Sequence, residues 1–286
     1  MSHYSIAGLQ LELSSDDNLE LIAREVGFTK QVFPWVQMVV LSELCAYGAD
    51  PCRAESLPSA AYDFYAALAK KHGIYLIAGS LFERKKDKTY NLTLVFDPSG
   101  IEVARYAKMY PFEPYEQGVT PGEEFCVFDV PEVGRFGISI CYDMWFPETT
   151  RTLAWMGAEV ILHPTMTGTI DRDAELAIAR ASAVTNQVYF FDINGAGQLG
   201  NGRSIVVDPE GRVLHQAANG REVIPVEVDL DKLRLSRERG LLSLGQPLKS
   251  FRDHWRVFPP YQAGMQSDAL DALGDLKKPG QSSSRP

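Results

Sequence analysis

The sequence predicts an α/β protein whose strands form two mixed sheets, and three observations support this prediction. Strand-like apolar runs alternate with helical patterns near the start of the chain and again in its second half. Between these two parts, three strand-like runs are joined only by turns, as in a meander. No composition shift divides the first 260 of the 286 residues. The pattern therefore indicates one domain with a pseudo-symmetric, two-sheet layout.

The first part of the chain is predicted as two strand and helix pairs. Ser15 or Asp16 is a suitable N-cap for the first helix, and Gly73 ends the second. The second strand runs directly into Ser-Glu-Leu-Cys, which places the Glu43 carboxylate just beyond its end. The predicted strands span residues 4–13 and 36–41, and the second helix spans residues 60–71.

The middle of the chain is predicted as the meander, with strands over residues 74–81, 90–96 and 101–106. Its last strand leads into Lys108 and then into a loop rich in proline, glutamate and aromatic residues. Glu116 lies in that loop, with Glu113, Glu123 and Glu124 close by in sequence. A lysine and one or more carboxylates therefore follow this part of the sheet.

The second half begins with two strands, and the second of them ends in a sharp elbow. A glycine and an apolar run lead into Cys141-Tyr142-Asp143, and Pro147 marks a helix start. Backbone N–H groups after such an elbow can point at a developing negative charge. The remaining prediction is strands over residues 125–130, 135–140, 159–163, 188–194, 203–208, 212–216 and 222–229, and helices through 150–156 and over 174–186 and 231–240.

Charge and cysteine content exclude several classes of protein. The formal net charge of −9 argues against a sequence-independent nucleic-acid surface, and no apolar run reaches membrane-spanning length. The four cysteines form no C-x-x-C pair and have no histidine at zinc-like spacing, so neither a disulfide framework nor a structural metal is expected. The N-terminus lacks a secretory signal. We therefore predict a cytoplasmic protein with reduced thiols.

The C-terminal part is predicted as an aromatic arm followed by a tail. The arm contains Phe251, Trp255 and the segment 258–261, and it must pack either on its own domain or on a second subunit. Residues 277–286 are polar and are predicted to be disordered. The predicted domain accordingly covers residues 1–260, and the tail covers 261–286.

Three strand ends present Glu43, Lys108 and Cys141, and these groups suit one reaction. A lone cysteine after an apolar strand is more often a packing residue than a nucleophile. Here a carboxylate is available as the base that removes the thiol proton, and a lysine is available to hold an oxyanion with the Tyr142 backbone N–H. His163 is an alternative partner for the thiol, as in papain-like sites, although its place before Pro164 favours a pocket wall.

Four segments together resemble the nitrilase superfamily of carbon–nitrogen hydrolases over residues 4 to about 230. They are S-E-L-C-A-Y-G at Glu43, Y-A-K-M-Y-P-F at Lys108, G-I-S-I-C-Y-D-M-W-F-P-E at Cys141 and G-R-S-I-V-V-D-P-E-G-R-V-L near the end. The resemblance implies a four-layer αββα sandwich of two mixed sheets. It also implies that Glu43 is the general base and acid, Lys108 the oxyanion stabiliser, Cys141 the nucleophile and Glu116 the second acid.

Within this family, true nitrilases tend to carry Cys-Trp-Glu at the nucleophile, so Cys141-Tyr142-Asp143 resembles the amide or ureido (carbamoyl) branch. The implied reaction is hydrolysis of a small amide or carbamoyl compound through a thioester, with no metal or organic cofactor. A nitrilase, an N-acyltransferase and a catalytically idle scaffold remain alternatives. Thr185 stands where the family's R-A-x-E-N pattern has glutamate.

Substrate recognition is predicted less sharply. Arg172 lies in a predicted loop near the pocket mouth. It could pair with a substrate carboxylate, its two flanking aspartates could hold a substrate amine, or all three could be solvated. The resemblance also implies a homodimer or a higher homo-oligomer. An aromatic and apolar pocket wall, which favours a hydrophobic acyl group, is expected from Tyr47, Tyr142, Trp145, Phe146 and Met166.

Overall fold

The computed structural model describes residues 3–254 and 256–278, and within them the strands form two large sheets and one small one. The strands are β1 His3–Gln10, β2 Glu12–Leu13, β3 Met38–Val40, β4 Tyr75–Ile77, β5 Leu81–Lys85, β6 Lys88–Phe96, β7 Glu102–Ala107, β8 Cys126–Val130, β9 Gly134–Ile138, β10 Val160–Thr165, β11 Tyr189–Asn194, β12 Ala196–Gly197, β13 Ile205–Val207, β14 Val213–Gln216 and β15 Glu222–Asp229.

Seven α-helices are found in the same residues. They are α1 Leu19–Val32, α2 Ala60–His72, α3 Pro147–Trp155, α4 Arg172–Asn186, α5 Leu230–Arg239, α6 Pro247–Asp253 and α7 Asp268–Asp271. Short 3-10 helices span Pro51–Arg53, Cys141–Trp145 and Pro259–Tyr261.

Each large sheet mixes parallel and antiparallel strands. The first has the order β15-β1-β3-β4-β6-β5, with β7 also paired to β6, and the second has the order β14-β13-β11-β10-β9-β8. The β1, β3 and β4 strands are parallel in the first sheet, and β9, β10 and β11 are parallel in the second. Because parallel strands end at the same edge, the loops after β3 and β9 leave from the edges where α/β sheets place ligands.

The apolar side chains form three buried cores, one between the two sheets and one between each sheet and its helices. The fold is therefore a sandwich of four layers, αββα. Alternate residues of both sheets, such as Ile6 and Met38 from one and Phe136 and Leu162 from the other, pack between the sheets. The outer face of the first sheet is covered by α1 and α2, and that of the second by α3 and α4. The predicted fold class is confirmed.

Two local predictions are wrong. The first helix begins at Leu19 rather than directly after Ser15 or Asp16, and its N-cap position is held by Asn18. The predicted strand over 74–81 is divided between β4 and β5, because the chain turns at Gly79 with φ +63°. A Cβ at Gly79 would lie 2.0 Å from the Ser42 carbonyl oxygen, so glycine lets this turn pack against the loop that carries Glu43.

The aromatic arm packs on its own domain while leaving apolar surface exposed. Phe251 of α6 makes an edge contact with Trp155 of α3 at 5.8 Å between ring centroids, and the Tyr261 hydroxyl donates to Glu148 at 2.6 Å. Trp155 is nevertheless 64% exposed. Trp255 and residues 279–286 of the predicted arm and tail lie outside the described residues. None of the described helices combines the length and apolar character needed to cross a bilayer.

Candidate active site

Three loops from both sheets bring Glu43, Lys108 and Cys141 to one place. Glu43 follows β3 and Lys108 follows β7 in the first sheet, whereas Cys141 follows β9 in the second. All three line one cavity between the sheets, together with Glu116. The structure therefore brings together all four of the predicted catalytic residues. The first and last of them in sequence, Glu43 and Cys141, are more than 90 positions apart.

Lys108 lies between two carboxylates in the buried part of this site. Its Nζ is 2.9 Å from Glu43 Oε1 and 2.7 Å from Glu116 Oε2. Asn91 Nδ2 donates to the same two carboxylates, at 2.8 Å to Glu43 and 3.3 Å to Glu116. Glu116 also accepts from the Phe112 backbone N–H at 2.5 Å, which folds its own loop back onto the lysine. The lysine is therefore fixed in position before any substrate arrives.

The charges of this group follow from its burial. Lys108 and Glu43 are each only 2% exposed. Burial alone would lower the pKa of Lys108, but the nearby Glu43 carboxylate and the weaker Cys141 and Glu116 contributions outweigh it and raise that pKa. Burial raises the pKa of Glu43, although Lys108 opposes the shift. Burial outweighs the attraction of the Lys108 cation and leaves Glu43 with a higher proton affinity than an exposed glutamate.

A strained backbone turn presents Cys141. Its φ is +47°, in the left-handed region that residues with a side chain rarely adopt, and the 3-10 helix Cys141–Trp145 starts there. The first N–H groups of a helix have no partner inside it, so the Tyr142 N–H is available to an incoming oxygen. The turn places Cys141 in the wall of the cavity.

Asp143 holds the turn in place. Its carboxylate accepts from the Ile140 N–H at 2.8 Å, the Tyr110 N–H at 2.9 Å and the Tyr106 hydroxyl at 2.7 Å. Burial raises the pKa of Asp143 to about 6, and these three donors oppose the shift. Because Tyr110 lies two residues after Lys108, Asp143 connects the loop of the nucleophile to the loop of the lysine.

The environment of Cys141 favours its protonated, thiol form. Burial raises the pKa of Cys141 well above its ordinary value, and the Glu43 charge adds to this, while Lys108 opposes it. Attack by this sulfur therefore requires a base that takes the thiol proton, since little thiolate is available beforehand.

The cavity is small and mostly apolar beyond these four residues. Its volume is about 210 Å³, which corresponds to roughly seven waters at ~30 Å³ each. Met166 lies in its wall, as predicted from the sequence. The other lining residues are Ala49, Pro51, Phe82, Phe112 and Tyr115.

The other predicted wall residues form a layer next to the cavity lining. The Tyr142 ring lies 4.9 Å from the Phe112 ring and 5.4 Å from the Phe146 ring, measured between centroids, and Trp145 is 6.3 Å from Tyr142. Tyr47 lines a separate small cavity that shares Phe82 with the main one. These aromatics therefore support the pocket wall rather than line the main cavity.

The structure corrects the placement of Arg172. It is the first residue of α4 rather than part of a loop, and it is 1% exposed. Its Nη1 lies 3.0 Å from Glu175 Oε2 and 2.8 Å from Asp192 Oδ2. Two buried carboxylates already share its charge, because α4 starts over the second sheet and turns Arg172 inward. The next residue in sequence, Asp173, instead pairs at the surface with Arg203.

His163 is a core residue of β10. It is fully buried, its Nδ1 lies 2.7 Å from Ser139 Oγ, and burial lowers its pKa to about 4. It is therefore neutral at ordinary pH and does not line the cavity, contrary to the predicted pocket wall. Thr185 is exposed, and its hydroxyl donates to the Ala181 carbonyl of its own helix.

Sequence reasoning missed several residues that shape the site. Asn91 is an interior residue of β6, and Phe112 and Tyr115 lie in the loop between Lys108 and Glu116. The high aromatic content of that loop was a usable signal, whereas nothing local distinguishes Asn91 from other strand residues. In the described part of the chain, no cluster of three or more His, Cys, Asp or Glu side chains is arranged to hold a metal ion.

Comparisons with known proteins agree with this geometry. The family model for carbon–nitrogen hydrolases matches residues 12–238. The omega-amidase NIT3 of Saccharomyces cerevisiae is 31% identical over 82% of this chain and 89% of its own length. The human omega-amidase NIT2 is 31% identical over 84% of this chain and 93% of its own length.

Solved structures give the same result. The crystal structure of S. cerevisiae Nit3, a member of branch 10 of the nitrilase superfamily, has a TM-score of 0.77 at 31% identity and covers 83% of this chain and 94% of that one. An active-site variant of a Nesterenkonia amidase in complex with butyramide has a TM-score of 0.73 at 26% identity, covering 83% and 95%.

Proposed function

The chain belongs to the carbon–nitrogen hydrolase family, and from the geometry of its site we propose that it is an amidase that hydrolyses a small acyl amide through a Cys141 thioester. The main support is one observation: Lys108 is held between Glu43 and Glu116 in the cavity that Cys141 enters. Each group has the charge and the neighbours that one step of this reaction needs.

In the first half of the reaction, the Cys141 sulfur attacks the amide carbon while its proton passes to Glu43. The carbonyl oxygen becomes an oxyanion, which the Lys108 ammonium and the Tyr142 N–H stabilise. When the tetrahedral intermediate collapses, the carbon–nitrogen bond breaks and Glu43 returns the proton to the leaving nitrogen. Ammonia or an amine departs, and the acyl group remains on the sulfur.

In the second half, water replaces the departed amine. Glu43 takes a proton from this water, whose oxygen attacks the thioester carbon, and the same two donors hold the second oxyanion. Collapse breaks the carbon–sulfur bond, returns the proton to Cys141 and releases a carboxylic acid. Glu116 acts throughout by fixing Lys108 and the Phe112 loop.

The size of the cavity supports a short acyl group, and its aromatic wall supports an apolar one. Space for roughly seven waters holds an acyl chain of a few carbons. The names of the similar proteins, omega-amidase and an amidase that binds butyramide, support a terminal primary amide as the bond that is cleaved.

Ammonia release from matched primary amides, carbamoyl compounds and nitriles tests this function. We expect turnover of short primary amides and an acyl adduct on Cys141 by mass spectrometry. Turnover that survives in Cys141→Ala would refute the mechanism, and nitriles turning over faster than the matching amides would refute the amidase assignment. Running the assay with an amine acceptor separates hydrolysis from N-acyl transfer.

We also propose that the protein is a homodimer or a higher homo-oligomer in the cytoplasm. The exposed apolar surface of the arm and of α3, including Trp155 and Tyr261, supports an oligomer. All four cysteines are free thiols, which supports a reducing compartment. Light scattering on the full chain and on a chain truncated before Phe251 tests the first point, and cell fractionation tests the second.

A further inference from the structure

A second group of buried charges lies near Cys141, and the mechanism above does not use it. Cys141 Sγ is 4.0 Å from Thr167 Oγ1. Thr167 Oγ1 in turn donates to Glu175 Oε1 at 3.0 Å, and Glu175 Oε2 lies 3.0 Å from Arg172 Nη1. Glu175 is only 2% exposed. A continuous chain of polar contacts therefore runs from the nucleophile into the protein interior.

The position of one hydrogen atom decides what this chain does. A threonine hydroxyl carries a single proton, and here that proton is directed at the Glu175 carboxylate. The Thr167 oxygen can then only accept from Cys141, so it can hold an S–H group but cannot donate to a thiolate. The Arg172 guanidinium and the Thr167 hydroxyl each donate to one oxygen of Glu175, an arrangement that suits an ionised carboxylate.

We propose that Glu175 is a positioning residue that keeps Cys141 as a thiol in the empty site, by holding the Thr167 hydroxyl proton away from the sulfur. This inference rests on the proposed role of Cys141 as the nucleophile. The Glu175 charge acts in the same direction, because it opposes the formation of a second negative charge at the sulfur.

Other charged groups near Cys141 and Glu175 also shift the pKa values of these two residues. Glu43 faces the thiol from the β3 loop and raises its pKa, while Lys108 faces it from the β7 loop and lowers it. Burial makes the largest contribution to the raised pKa of Glu175. Asp192 of β11 also raises this pKa, and Arg172 lowers it. The neutral His163 ring of β10 completes the surroundings, with Arg172, Asp192 and Lys108 among the charges near it.

The consequence is a nucleophile that reacts only after Glu43 takes its proton. A thiol reacts with oxidants and alkylating agents far more slowly than a thiolate does. Cys141 should therefore be protected while the site is empty. Proton transfer to Glu43 during attack then supplies the sulfur nucleophile without a standing population of thiolate.

The rate of Cys141 alkylation by iodoacetamide as a function of pH tests this role. Mass spectrometry resolves Cys141 from the exposed Cys52. Glu175→Gln removes the charge, and its amide can donate to Thr167 so that the hydroxyl proton turns towards the sulfur. We expect the midpoint of the pH profile to fall by about one unit, which makes alkylation at neutral pH about tenfold faster. The matched control is Glu159→Gln, another buried glutamate paired with an arginine, and it should leave the profile unchanged.

A second pair of variants tests whether the effect passes through Thr167. In the Thr167→Val background, Glu175→Gln should shift the midpoint by less than half as much, whereas Thr167→Ser should retain the wild-type profile. An unchanged midpoint in folded Glu175→Gln, or the same shift with valine at position 167, would overturn the proposal. Amide turnover by the wild-type protein is measured in parallel, so failure of the proposed function is seen separately from failure of this role.

Discussion

Two charge clusters near Cys141 are built from the same components, one cation between two carboxylates. In one, Lys108 lies 2.9 Å from Glu43 and 2.7 Å from Glu116. In the other, Arg172 lies 3.0 Å from Glu175 and 2.8 Å from Asp192. The first cluster lines the cavity, whereas the second is closed off beneath α4. The two clusters thus share their composition, although Glu116 is partly exposed whereas Glu175 and Asp192 are buried.

The difference between the clusters lies in access and in the type of cation. A lysine ammonium is a compact charge with three rotatable donors, so it can keep its carboxylates and still bind an oxygen that enters the cavity. An arginine presents a flat array of donors that fits fixed carboxylates, which suits a permanent structural contact. Functional assignment here depends on which cluster a substrate can reach.

The largest expected effect is on catalysis when the cavity-lining cluster loses its base. Glu43→Gln keeps the size of the side chain but cannot accept the thiol proton. We expect kcat/KM for the best amide to fall by roughly 10⁴-fold, the upper range for general acid–base catalysis. Circular dichroism and thermal melting should show an intact fold. A loss below tenfold would contradict the assigned role.

The next effect should be on stability, when the closed cluster loses its cation. Arg172→Met leaves the buried Glu175 and Asp192 carboxylates without the cation they share, and we expect a loss of about 3–5 kcal/mol in the free energy of unfolding, measured with denaturant. Arg53→Met is the matched control, because Arg53 pairs with Asp16 while their side chains are 40% and 80% exposed, and it should cost below ~1 kcal/mol. Equal losses in the two variants would remove the distinction between the closed cluster and a surface pair.

The smallest expected effect is a shift in pH dependence. Burial raises the pKa of Glu43, and the base must be ionised to act, so kcat/KM should fall as pH drops through a value above the ordinary 4.5. Asn91→Ala removes a donor to the ionised carboxylate and should move this acid limb up by about one unit. The measurement is the initial rate of hydrolysis of a neutral amide, followed at assay pH values from about 4 to about 8. An acid limb that does not move would show that Asn91 has no influence on the base.

Much of the fold was predictable from the sequence because strand and helix patterns are local. Apolar periodicity and turn residues predicted three elements at the places where the structure has them. They are the helix that ends before Gly73, the elbow at Cys141 and the strand before Glu43. The division of the predicted strand at Gly79 was not predictable, because it follows from close contact with the Ser42 carbonyl 37 positions earlier.

The sequence alone determined which groups are chemically able to react: Glu43, Lys108 and Cys141 each follow a predicted strand, and strand ends converge in an α/β fold. Tertiary structure alone decided which charges meet a substrate. Arg172 is a charged residue beside two aspartates and was expected near the solvent, yet α4 packs it against Asp192 of the neighbouring strand. The energy of a charge depends on the groups around it in space, and local sequence does not specify those groups.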